Sequence, residues 1–202
     1  MINDTYRNGK VELNVKQVAK NGAPYCGDSY FYVTTDQYFL CMLADGLGSG
    51  KYAYESSNAI KEVVEEYHHL TVEEILERCN SAMVAKRGAA IAIMKFCFET
   101  KDFKYVSVGN IKFFLYLPST DKTVYPLPIS GYLSGRKSSY KVQTFPYEPQ
   151  AKFIIFSDGL ELKEIKSYMA RNVSVETISN IMWEANVAHA DDTTFIIGSL
   201  LL

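Results

Sequence analysis

Residues 89–119 read AAIAIMKFCFETKDFKYVSVGNIKFFLYLPS, and the architecture follows from them. Its apolar residues fall in three segments, 89–99, 103–109 and 111–119, separated by short polar breaks. Each segment alternates in period two or is continuously apolar, and each is rich in β-branched and aromatic residues. The reading is three successive strands joined by tight turns. Toward the N-terminus, VELNVKQVA (11–19), SYFYVT (29–34) and YFLCMLA (38–44) read as further strands, the last two a hairpin turning at Thr35-Asp36-Gln37. Between them and residue 89 the period changes. Ala53, Ser57, Ile60, Val63, Val64 and Tyr67 recur at three and four, one face of a helix from Ser49 to about His69. Thr71-Val-Glu-Glu74 is a capping box, opening a second helix to about Ala85 with Ile75, Leu76 and Met83 inward.

Toward the C-terminus, residues 120–150 read as loops with strand fragments near 140–145. KFIIFS (152–157) is a buried strand, helices are predicted over 160–170 and 174–188, and TTFIIGSLL (193–201) is a closing strand. Helices thus come in pairs between blocks of strands and do not alternate singly with them. The pattern predicts an α+β, four-layer αββα sandwich: two antiparallel sheets packed together, with a helix pair on each outer face. No repeat, linker or composition shift divides the chain, so residues 1–202 are expected to form a single domain.

Charge narrows the function. Lys plus Arg is 21 and Asp plus Glu is 23, a net charge of −2, which argues against nucleic acid or an anionic membrane surface as partner. No apolar run is long enough to span a bilayer, and the N-terminal MINDTYRNGK has no signal-peptide core. Cys26, Cys41, Cys79 and Cys97 are scattered without a Cys-x-x-Cys pair, as expected of buried reduced thiols. A soluble cytoplasmic protein is the expectation.

Four acids stand where a solvated face does not need them. Asp28 (CGDSY) begins a strand, Asp45 (LADGLGSG) and Asp158 (FSDGL) end strands, and Asp191 (ADDTT) precedes the last one. A carboxylate against an apolar strand is costly unless something positive neutralises it. No Lys or Arg adjoins any of the four in sequence. A distant lysine or a metal ion would serve, and carboxylates with a backbone carbonyl make a hard oxygen site suited to Mg²⁺ or Mn²⁺, not zinc.

The ordered set Gly27-Asp28, Asp45-Gly46-Leu47-Gly48, Arg87-Gly88-Ala89-Ala90, Val108-Gly109-Asn110, Phe156-Ser157-Asp158-Gly159 and Asp191-Asp192-Thr193-Thr194 resembles the metal-dependent protein phosphatases (PPM, or type 2C). The resemblance covers about residues 10–201, and the compact length is similar to the bacterial stress and sporulation branch. It implies two Mn²⁺ or Mg²⁺ ions, with Asp45 bridging both, the Gly46 carbonyl on one, Asp158 and Asp191 on the other, and Asp28 acting beside them. It further implies that a metal-bound hydroxide attacks phosphoserine or phosphothreonine in line. The implied substrates are the phosphorylated STAS-domain scaffold and sensor proteins of the stressosome, in the sigma-B stress pathway. The chain departs from the family in three places. Lys16 and Lys20 stand on the strand where relatives have a phosphate-gripping Arg. Ala85 and Lys86 replace the acid of a third metal, and Asn110 replaces a common Asp. Arg136 and Lys137, in the loop 126–140, are candidate substrate-facing cations. The competing class is a non-catalytic phosphoprotein-binding module.

Other signals carry less. Gly46-Leu-Gly-Ser-Gly-Lys51 lacks the spacing of a phosphate-cradling nucleotide loop. His68-His69 reads as a cationic helix end. His189, two residues before Asp191, reads as a loop histidine with a general-acid role as its sharper alternative.

Overall fold

In the computed structural model, which describes residues 1–186 and 191–202, eleven strands and four helices stand in the order foreseen, with two strands added. The first sheet holds β1 (Ile2–Arg7), β2 (Val11–Val18), β7 (Lys112–Leu117), β8 (Lys122–Val124), β10 (Lys152–Phe156) and β11 (Thr193–Leu200), ordered β1-β2-β11-β10-β7-β8. The second holds β3 (Asp28–Thr34), β4 (Tyr38–Gly46), β5 (Ala89–Cys97), β6 (Asp102–Val108) and β9 (Gln143–Pro146), ordered β3-β4-β5-β6-β9. Neighbouring strands are antiparallel throughout.

Three cores hold four layers together. Val15, Phe39, Phe96, Phe103, Phe113, Phe153 and Ile196 fill the space between the sheets. Helices α1 (Lys51–Tyr67) and α2 (Val72–Ser81) lay Ile60, Val64, Ile75 and Leu76 on Met42, Ile91 and Ile93 of the second sheet. Helices α3 (Ile165–Met169) and α4 (Val175–Asn186) lay Met169 and Ile178 on Ile154, Phe156 and Ile197 of the first. Central strands are therefore buried on both faces. In β4, Phe39, Cys41 and Leu43 point between the sheets while Leu40, Met42 and Ala44 meet the helices. Double burial is why these strands read as continuous apolar runs.

The structure corrects several details. β1 was invisible because INDTYR has no apolar stripe; it is an edge strand tied by polar bonds from Asn14 Nδ2 to Asn3 Oδ1 (3.1 Å) and Thr5 Oγ1 (2.9 Å). The predicted helix 160–170 shrinks to α3, because Leu160 is drawn into the core and Glu164 takes a left-handed φ of 54° at the helix start. The Thr71–Glu74 capping box forms as read. All four cysteines are free, but Cys26 and Cys97 are only half-buried. The surroundings of His68 disfavour a charged imidazole at this helix end. Burial holds it below the usual histidine range, and Tyr38 Oη lies 2.7 Å from its Nδ1. The cation there is Lys95, whose Nζ donates to the carbonyls of His68 (2.9 Å) and Leu70 (2.7 Å). Among the described residues no helix is long and apolar enough to cross a membrane.

Candidate metal centre

Antiparallel register places the first two acids. Asp28 opens β3, Asp45 stands one residue before the end of β4, and the two are direct cross-strand partners. Gly46 N–H closes on the Gly27 carbonyl at 3.1 Å. The other acids arrive from the opposite sheet. Ser157 and Asp158 follow β10, and Asp191 and Asp192 precede its neighbour β11. Ser157 joins the sheets: its Oγ donates to Asp28 Oδ2 (2.7 Å) and accepts from Thr194 N–H (2.9 Å). Gln17 adds a second stitch, from Nε2 to the Asp28 carbonyl (3.2 Å) and to Thr194 Oγ1 (2.9 Å). All of Asp28, Asp45, Asp158, Asp191 and Asp192 thus share one end of the sandwich, at or just beyond the ends of four different strands.

The electrostatics of that end are unbalanced. Asp28 is 3% exposed. Burial pushes its carboxyl up to about 7, with the bond from Ser157 opposing and the charges of Asp192 and Asp158 adding. Asp45 is pushed up to about 8 by burial and then by Asp28, Asp158, Asp191 and Asp192. Two local partners relieve little of this. Asn110 Nδ2 donates to Asp158 Oδ2 (2.7 Å), and Lys20 Nζ stands 3.4 Å from Asp191 Oδ1. Among the described residues Lys20 makes the one ion pair to this set.

The residues present fit divalent cations. Asp28 Oδ1 is buried without a hydrogen-bond partner, a costly state that a cation or its water would relieve. Every available donor is oxygen, as hard cations require. Among the described residues no three acidic, His or Cys side chains close on one point. Mg²⁺ needs no such closure, since it is commonly held by one or two carboxylates and keeps several waters.

These shifts have a sign. Both carboxyls have folded values above the unfolded value of about 3.9. Their contribution to stability is therefore greatest below that value and is lost as pH rises through 7 and 8. A shift of one unit is worth about 1.4 kcal/mol, so buried Asp28 alone costs the cation-free protein a few kcal/mol at alkaline pH. Thermal unfolding in EDTA and in saturating MgCl₂ is expected to show a cation-induced rise in Tm that is larger at alkaline than at acid pH. A rise independent of pH would contradict the assignment.

Sequence reasoning missed some of this environment. Asp192, 6% exposed, anchors the chain by accepting Lys20 N–H at Oδ1 (2.9 Å). Its only signal was its place in the Asp-Asp-Thr-Thr run. Ser157 carries the inter-sheet bond, yet as a lone serine beside Asp158 it gave no sign of it. Of the two lysines before Asp28, Lys16 stands on β2 but Lys20 lies beyond its end, in a short 3-10 turn, and it is Lys20 that reaches the acids. Lys16 Nζ binds Asn180 Oδ1 (2.6 Å) on α4. Among the described residues Arg136 and Lys137 make no ion pair with the carboxylates, and they stand in a loop that Asn80 of α2 holds through Arg136 O (2.8 Å) and Gly135 N–H (3.2 Å). His189 lies outside the described residues. A hollow of about 340 Å³ opens beside Asp28, between β3 and the Tyr54, Asn58 and Lys61 face of α1.

Four layers with an oxygen-rich acidic end define a metal-dependent protein phosphatase of the PPM, or type 2C, class, and the chain belongs to the family described as Stage II sporulation protein E (SpoIIE), matched over residues 35–197. Within that class it is similar to the phosphoserine phosphatase RsbX of Bacillus subtilis (strain 168). The two are 48% identical over 193 residues, covering 96% of each chain. RsbX solved with magnesium superposes with a TM-score of 0.93 at 47% identity, over 98% of this chain and 100% of that one. Two further structures share the fold. One, from work on the bacterial stressosome as a modular system, has a TM-score of 0.85 at 21% identity and covers 94% of this chain and 99% of its own. The other, the catalytic domain of the serine/threonine phosphatase PstP with two manganese ions, has a TM-score of 0.74 at 14% identity over 96% and 99%.

Proposed function

We propose that this protein is a cytoplasmic, metal-dependent phosphoserine/phosphothreonine phosphatase, its phosphatase domain occupying residues 1–202, that acts on phosphorylated stressosome scaffold and sensor proteins of the sigma-B pathway. The observation that carries the reading is the cross-strand pair Asp28–Asp45, raised in pKa at the sandwich end where Asp158 and Asp191 also arrive. The relatives named above support the substrate class.

In this reading Asp45, the Gly46 carbonyl, Asp158 and Asp191 hold two Mn²⁺ or Mg²⁺ ions. When bound, such ions neutralise phosphoryl oxygens and acidify water toward neutral pH. The protein's own groups do the orienting. Ser157 fixes Asp28 Oδ2, leaving the unpartnered Oδ1 to accept a hydrogen bond from the attacking water and aim it at phosphorus. Asn110 fixes one oxygen of Asp158 in the same manner. Lys20 sets positive charge beside Asp191 for the substrate phosphate. As the water oxygen bonds to phosphorus the serine oxygen leaves it, and a proton given up by that water ends on the serine oxygen, so the products are a serine hydroxyl and inorganic phosphate. Arg136 and Lys137 meet the surface of the protein substrate.

Phosphate release from a serine-phosphorylated peptide, and from p-nitrophenyl phosphate, is expected in Mn²⁺ and should stop on adding EDTA. Peptide binding without release at any Mn²⁺ concentration would establish the binding module instead.

A further inference from the structure

Two loops far apart in sequence lie side by side next to the acidic end. Ala89 and Leu133 exchange backbone hydrogen bonds (3.1 and 2.9 Å), and a Cβ on Gly135 would stand 2.9 Å from Val84 N. Segment 84–89 therefore runs along segment 131–137. The pairing gathers Lys86 and Arg87 from one loop with Arg136 and Lys137 from the other, all four exposed. No ion pair among the described residues involves any of them. Glu77 of α2 lines a hollow with Lys137 but is not paired with it. Four unpaired cations on one side of a chain with net charge −2 are an uneven distribution.

Arg87 connects this patch to the acidic end. Leu47 N–H bonds the Gly88 carbonyl at 3.0 Å, bringing the loop after Asp45 against Arg87. Gly48, at φ +97°, leaves room for the guanidinium: a Cβ there would lie 2.6 Å from Arg87 Nη1. The guanidinium lies over the Tyr52 ring, 4.8 Å from its centre. Tyr52 and Tyr132 are 61% and 50% exposed. Exposed tyrosines with a stacked arginine whose fork is unpaired have the composition of an interface core.

We infer that Lys86, Arg87, Arg136 and Lys137 form a docking platform for an acidic segment of the protein substrate adjoining its phosphoserine. The inference rests on the phosphatase reading for the identity of the occupant. Charge complementarity selects that occupant, and contact through Arg87 with the loop that follows Asp45 places it beside the site. Arg87 supplies a bidentate fork for a carboxylate, which a lysine in its place would not.

The test uses two fluorescent phosphoserine peptides of equal length, one flanked by Asp and Glu, the other by Lys and Arg, followed by anisotropy. Wild-type protein is expected to bind the acidic peptide about tenfold more tightly in low salt, with the preference shrinking as salt rises. Lys86→Glu/Arg87→Glu should abolish or invert the preference. Arg87→Gln, a milder change should the double variant not fold, should reduce it. Equal binding of both peptides by wild type, or an unchanged preference in both variants, overturns the platform. Because binding is read without turnover, such a result would leave intact a phosphatase reading supported by Mn²⁺-dependent release from p-nitrophenyl phosphate. Absent release with preserved acidic-peptide preference would remove that reading and keep the platform.

Discussion

Asp45→Asn is expected to lower cation-dependent phosphate release by at least about a hundredfold, the scale on which a single preorganised electrostatic group acts. The substitution keeps the shape and removes the charge. Asp45 is the acid on which the other four act together, its carboxyl pushed up by burial and then by Asp28, Asp158, Asp191 and Asp192. Removing that charge relieves repulsion in the cation-free protein. The variant should therefore melt no lower than wild type at pH 8 in EDTA, while gaining less Tm from Mg²⁺. Calorimetric titration of Mn²⁺ and thermal unfolding read the two effects separately. Retained turnover would refute Asp45 as a ligand. Lost turnover with a Tm well below wild type in EDTA would assign it a structural role.

Gly46→Ala should be the most damaging single methyl in this region. Its Cβ would fall 1.9 Å from the Ala53 carbonyl oxygen and 2.5 Å from that carbonyl carbon. These are backbone atoms of α1, so no rotamer change relieves the overlap, and the helix must move away from the end of β4. Overpacking that forces backbone to shift costs typically about 1–3 kcal/mol, and overlap with two backbone atoms puts this change at the upper end, which for a domain of this size corresponds to a fall in Tm of about 10 °C. Denaturant unfolding followed by tryptophan fluorescence measures it, Trp183 being the single tryptophan. A loss below about 1 kcal/mol would show that α1 is not held against Gly46 as described.

The layers were legible because burial leaves a periodic trace. Strand β5 alternates Ala90, Ala92, Met94 and Phe96 toward the other sheet with Ile91 and Ile93 toward the helices. Its sequence had only one economical reading. The Thr71–Glu74 capping box was equally readable, since both partners lie within one turn. β1 was not, because a polar edge strand is defined by the neighbour it pairs with, and its register with β2 is a tertiary fact. The left-handed Glu164 that shortens α3 likewise has no local signature.

The order of residues along the chain was enough to give the four layers and to mark Asp28, Asp45, Asp158 and Asp191 as acids out of place at strand ends. Those properties are local: alternation, turn chemistry and the cost of a carboxylate beside apolar residues. It took the folded arrangement to show that Asp28 faces Asp45, that Ser157 spans the sheets to hold it, that Lys20 and not Lys16 reaches the acids, and that the Lys86–Arg87 segment runs beside the Arg136–Lys137 segment. Each is a contact between segments brought together by strand register or loop packing, and no spacing along the chain encodes the distance between them.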